Sequence, residues 1–171
     1  CSVYFVRDAQ HLINTFSSNP EYLKTKEDDA VKNYKDWGIP LGRRFRALKL
    51  WFVMRSFGVE GLQNKIREHI RITNVLYDLL KQDSNWEIMA PFVLNVLCIR
   101  FHPSAIDDNA ILNNINEDLL RSINATGKYF LSGTKLHDKF VIRIVPSQTN
   151  VREEHVTRLY QLMCELTNTL R

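Results

Sequence analysis

The stretch Asp36-Trp37-Gly38-Ile39-Pro40-Leu41-Gly42-Arg43-Arg44-Phe45-Arg46-Ala47-Leu48-Lys49-Leu50-Trp51-Phe52 separates two kinds of sequence. Before it the chain is irregular; after it, apolar residues recur with a period. Pro40 and Gly42 punctuate the start of a helix. Leu41, Phe45, Leu48 and Phe52, spaced by four and three, form one apolar stripe, and Trp51, Met54 and Phe57 widen it. Arg43, Arg44, Arg46 and Lys49 crowd the same helix opening. The first N–H groups and the helix dipole favour an anion there and disfavour cations, so a run of basic residues needs a reason. An arginine can grip a carboxylate or phosphate with its two-pronged fork. The plainer alternatives are a solvated basic face and salt bridges to a neighbouring element.

Toward the C-terminus, Gly58 and Gly61 break the stripe. Gly58-Val59-Glu60-Gly61 has the G-x-x-G spacing of a loop that clamps nucleic-acid backbone, but the Glu60 carboxylate would repel phosphate. A turn between helices is expected instead. A second stripe (Leu62, Ile66, Ile70, Thr73, Leu76, Leu80) predicts another long helix ending near Asp83-Ser84-Asn85. Residues 86–92 and 94–101 are rich in β-branched and aromatic residues and predict two strands. A polar loop over 104–116 follows, then a short helix over 117–125 with Asn116 as its N-cap. Strands are expected at 128–133 and 139–145, where Phe140, Ile142 and Ile144 alternate with Val141, Arg143 and Val145. Asn150 would cap a last helix carrying Val156, Leu159, Met163, Leu166 and Leu170. The fold class is therefore α+β, a small sheet covered by helices.

Toward the N-terminus, residues 17–38 sustain no period of 2 or 3.6, and a loop of that length is functional or mobile. Residues 8–16 read as a helical turn or connector, and 1–7 as a short buried strand. The abrupt start at Cys1, inside an apolar run, suggests a segment of a longer polypeptide.

Net charge is +4 over 171 residues, too little to imply nucleic acid without a clustered patch. Cys1, Cys98 and Cys164 form no C-x-x-C pair, which argues against a disulfide framework and for a reducing compartment. His11, His69, His102, His137 and His155 have no metal-ligand spacing, so no metal is expected. No apolar run reaches the length of a membrane span. Tyr22, on the long loop beside Glu27-Asp28-Asp29, could be a surface anchor or a proton donor on a closing lid.

The segment from Asp36 to Phe52 closely resembles a signature of the group II pyridoxal-phosphate decarboxylases, in particular their aromatic-L-amino-acid decarboxylase branch. Arg55-Ser56-Phe57-Gly58-Val59-Glu60-Gly61-Leu62 and Lys139-Phe140-Val141-Ile142-Arg143 continue the likeness. It implies the C-terminal portion of a fold-type I enzyme. Residues 1–38 would end the large cofactor-binding domain and carry the catalytic loop. Residues 39–83 would be long linking helices, and 84–171 the small α+β domain. The implied cofactor is pyridoxal 5′-phosphate, an electron sink for decarboxylation.

In the family the Schiff-base lysine lies in an Asn-Pro-His-Lys-Trp type motif upstream of the position of Cys1, and no lysine here is followed by Trp. This segment is therefore not expected to hold the cofactor covalently. The resemblance assigns Tyr22 as the loop tyrosine that protonates Cα after CO2 leaves. It assigns Arg43 to the substrate carboxylate, and Gly42 to a position where a small residue leaves room for a bulky ring. Arg44 and Arg46 would serve packing or subunit contacts. The implied partners are the amino-acid substrate, a second copy in a homodimer and the remainder of the enzyme before Cys1, in the cytoplasm, with neither nucleic acid nor membrane. The competing expectation is a non-enzymatic helical module that binds nucleic acid or an acidic partner through the Arg43–Lys49 cluster.

Overall fold

The computed structural model describes residues 4–17, 31–32, 34–40 and 44–168. They fall into two compact units, Cys1–Gly58 and Val59–Arg171.

In the first unit, residues 4–7 are not a strand: Tyr4 and Phe5 are 78% and 88% exposed. A strand requires a neighbouring ladder, and nothing among the described residues pairs with this run. Helix α1 (Ala9–Phe16) is capped by Asp8, whose Oδ1 accepts the Gln10 N–H at 2.9 Å, and closes with Ser17 N–H donating to Ile13 O. A single 3₁₀ turn (Tyr34–Trp37) interrupts the expected loop, with the Tyr34 and Trp37 rings 5.5 Å apart. Helix α2 (Ala47–Gln82) begins later than Pro40 and Gly42 suggested, at the first run of strong helix formers free of Gly and Pro. Gly58 breaks it at φ 65°, ψ 177°, a conformation open to glycine and strained for other residues, whereas Gly61 stays helical. The expected turn between two helices is thus a one-residue break.

The second unit holds the core. The later part of α2 buries Ile72, Thr73, Leu76 and Leu80. Strands β1 (Trp86–Ile88), β2 (Leu97–Phe101), β3 (Ser132–Leu136) and β4 (Lys139–Ile144) make one antiparallel sheet in the order β1-β2-β4-β3. Helices α3 (Asn109–Ala125) and α4 (Glu153–Thr167) complete the layer. Leu76, Ile99, Ile123, Ile142, Leu159 and Met163 meet in a single buried cluster. This is the expected α+β arrangement.

Local departures have local causes. The expected strand over 86–92 stops at Ile88 and the next begins only at Leu97; the hairpin between them carries Pro91, which lacks an N–H, and Leu94 at φ 56°. The expected strand over 128–133 moves to 132–136 because the backbone of Leu131 is taken by Asn124. Leu131 N–H donates to Asn124 Oδ1 at 2.8 Å, and Asn124 Nδ2 donates to Leu131 O at 3.0 Å. His137 and Asp138, both at positive φ, form the tight β3–β4 turn.

Asn116 is not a cap. Helix α3 starts eight residues earlier, capped by Asp108, whose Oδ1 accepts the N–H groups of Ala110 and Ile111. Asn116 is buried mid-helix, where it accepts the Phe101 N–H at 2.7 Å and donates to Phe101 O at 2.8 Å. Beside it, Asn113 Oδ1 accepts the Phe140 N–H at 2.7 Å. The paired register of β2 with β4 runs over Leu97–Ile99, and these helix amides satisfy backbone groups just beyond it. Helix α4 starts after Arg152 rather than Asn150; Leu166 is 36% exposed, and Leu170 lies outside the described residues. No helix among the described residues is long and apolar enough to cross a membrane.

Candidate functional site

Tyr22, Gly42 and Arg43, the three residues singled out for catalysis and substrate binding, lie outside the described residues. The described residues that flank positions 41–43 along the sequence include the 3₁₀ turn, with its Lys35–Asp36 ion pair at 3.1 Å, and the helix opening from Arg44. Arg44 and Arg46 are exposed. Just inside α2, the Arg55 guanidinium lies 5.8 Å from the centre of the Trp51 ring, and Trp51 packs edge-on against Phe52.

Three of the described histidines have hydrogen-bonding partners within the fold. His102 Nδ1 lies 2.7 Å from Glu87 Oε1, and His69 Nε2 lies 3.2 Å from Gln148 O. His155 Nδ1 accepts the Arg152 N–H at 3.0 Å. No three metal-ligating side chains converge among the described residues.

Two clusters escaped sequence reading. Arg100, the penultimate residue of β2, is fully buried. It donates to Asn109 Oδ1 (3.2 Å), Asn109 O (3.3 Å) and Asn113 Oδ1 (3.0 Å). Burial lowers its pKa below the usual arginine value, partly offset by Glu87, its cross-strand partner. Held by neutral amides from α3, it clasps helix to sheet. The only hint in the sequence is an arginine inside the apolar run Leu97-Cys98-Ile99-Arg100-Phe101. The second cluster joins Tyr160, Asp83 and Cys164. The Tyr160 hydroxyl donates to Asp83 Oδ2 at 3.3 Å; burial first, then Cys164 and Asp83, push the phenol up to about 12.

A pyridoxal group needs an amine for its aldehyde and an acid for its ring nitrogen. A cavity of about 400 Å³ in the second unit is lined by Lys128, Arg143 and His155 but by no carboxylate. The described residues do not fit the cofactor, and its anchoring groups must come from elsewhere in the protein.

Against known proteins, residues 1–102 match the family model described as the pyridoxal-dependent decarboxylase conserved domain. Tryptophan decarboxylase 2 of Oryza sativa subsp. japonica is 42% identical over 166 residues, 95% of this chain and 33% of that protein. Phenylacetaldehyde synthase of Arabidopsis thaliana is 41% identical over 167 residues, covering 96% and 34%. The crystal structure of Oryza sativa TDC with PLP and tryptamine superposes with a TM-score of 0.88 at 33% identity, covering 96% of this chain and 35% of that one. The chain spans about a third of the length of the relatives it matches. Because the family match takes in well over half of the sequence, including the Asp36–Phe52 signature, the chain belongs to the pyridoxal-dependent decarboxylase family.

Proposed function

We propose that this protein takes part in the pyridoxal-phosphate-dependent decarboxylation of an aromatic L-amino acid to its amine and CO2. The observation that carries this is the likeness to tryptophan decarboxylase 2 along 95% of the chain. The fold is supported independently by the superposition on a plant enzyme bound to tryptamine. The alternative reading, a non-enzymatic helical module that binds nucleic acid or an acidic partner through the Arg43–Lys49 cluster, is not favoured, because the cluster lies inside the family match.

The proposal gives each motif residue a physical task. Arg43 grips the substrate carboxylate with a bidentate fork and fixes the orientation of the bond to be broken. Gly42, without a side chain, leaves space for an indole or phenol ring. Tyr22 holds the proton delivered to Cα, and the loop over 17–38 excludes water while it does so. Residues 1–38 serve as the end of the cofactor-binding domain, 39–83 as the link and 84–171 as the small domain. The lysine and the ring-nitrogen acid come from outside the described residues. We further propose a homodimer in the cytoplasm, as the resemblance implies.

The test is to supply tryptophan, tyrosine and other aromatic amino acids to the intact enzyme that contains this chain, with pyridoxal phosphate bound, and to quantify CO2 and amine together. Equal amounts of both are expected from at least one substrate; neither product from any of them would refute the proposal. Arg43→Ala should lower kcat/KM by about 10²-fold, the loss of a charge-assisted bidentate contact. An unchanged kcat/KM would remove Arg43 from the site.

A further inference from the structure

The cavity of about 400 Å³ in the second unit lies between residues 128–132, the exit of β4 and the first turn of α4. Here the hairpin has splayed: Ser132 still pairs with Arg143, but the residues before Ser132 have left the ladder, tied back at Leu131 by Asn124. The floor is apolar, with Leu131, Ile144 and Leu159, and the rim carries Lys128, Arg143 and His155.

The charge of this rim is unbalanced. No aspartate or glutamate lines the cavity. The acids in the first turn of α4 are engaged elsewhere, Glu153 with Arg71 at 2.8 Å and Glu154 with Arg158 at 3.5 Å. Neither the Lys128 ammonium nor the Arg143 guanidinium has a hydrogen bond or ion pair among the described residues. In His155, Nδ1 accepts the Arg152 N–H, so the ring proton of the neutral form sits on Nε2 and is available to donate. Two uncompensated cations and a donor therefore share an apolar-floored cavity whose volume lies within the usual range for small-ligand sites.

We propose that this cavity binds a small organic anion, its acidic head held by Lys128, Arg143 and His155 and its apolar or aromatic body resting on Leu131, Ile144 and Leu159. Carboxylates and phosphate monoesters share the required head chemistry. Binding requires neither Tyr22 nor Arg43, so this site stands or falls separately from the decarboxylation.

Fluorine NMR titration of the purified protein tests it with three probes: 4-fluorobenzoate, 4-fluorophenyl phosphate and neutral 4-fluorobenzyl alcohol. Saturable binding of at least one anion is expected, with the tighter anion identifying the preferred head. The alcohol should bind at least about tenfold more weakly, the loss of one charge-assisted contact. Arg143→Gln and Lys128→Gln should each weaken the anion about tenfold while leaving Tm and the decarboxylation rate unchanged. The proposal is overturned if neither anion saturates, if both variants bind as tightly as the wild type, or if the amino-acid substrate fully displaces the probe, which would place it in the catalytic site.

Discussion

The two units differ in where their apolar side chains go. In Val59–Arg171, Leu76, Ile99, Ile142 and Met163 are fully buried against one another, and helix amides complete the backbone hydrogen bonding next to the β2–β4 ladder. In Cys1–Gly58 no described residue is buried; Phe5 and Ile39 are each 88% exposed and Phe45 is 74% exposed. Both units have helical periodicity, but among the described residues only the second has a core. Periodicity marks which side of a helix is apolar; a core forms only where a second surface meets that side.

Truncation is the sharpest way to break this contrast. Leu76→Ala should cost about 2–5 kcal/mol in denaturant unfolding, the price of a buried leucine cavity. Phe45→Ala in the same 171-residue chain should change stability by less than about 0.5 kcal/mol. Equal costs would mean that the first unit buries its aromatics as thoroughly as the second.

Asn116→Ala probes the polar side of the same contrast. It leaves the Phe101 N–H and C=O without their partner, an expected loss of about 2–3 kcal/mol. If Asn116 were only a surface cap, the loss would be much smaller and Asn116→Ser would restore it.

The smallest effect is a pH slope confined to the second unit. The Tyr160 phenol is raised to about 12 in the folded state, so the native protein holds this proton more tightly than the unfolded chain does. Its contribution is complete below the unfolded tyrosine value near 10 and is lost as pH rises toward 12. Stability should fall between pH 10 and about 12, and Tyr160→Phe should flatten part of that fall. Tyr129, raised mainly by burial, supplies a further part of the same sign. An unaltered slope in Tyr160→Phe would contradict the assignment.

The sequence was most informative where one pattern met one environment. Phe140, Ile142 and Ile144 alternate as β4 requires, and Val156, Leu159 and Met163 mark the inner face of α4. It misled where a residue type has two common uses. Asn116 has the chemistry of a cap but acts in the middle of a helix as a substitute for a ladder partner. Tyr129 and Phe130 have the composition of a strand, but Asn124 draws the adjoining Leu131 backbone out of the sheet. Arg100 has no periodic signature, because its partners Asn109 and Asn113 come from a helix that sequence reading placed in a loop. The proposed roles of Tyr22, Gly42 and Arg43 differ in kind: the basic run drew notice to Arg43 and the long loop to Tyr22, but the choice of a role for each rests on the family motif.

The central claim, that this chain supplies the proton donor of an amine-forming decarboxylase, is tested most directly by product analysis of Tyr22→Phe in the active protein. With an accepted aromatic amino acid, CO2 release should persist while amine falls and the corresponding aldehyde appears, the two-electron oxidation drawing on dioxygen. Amine yield equal to that of the wild type, with no aldehyde, would contradict it.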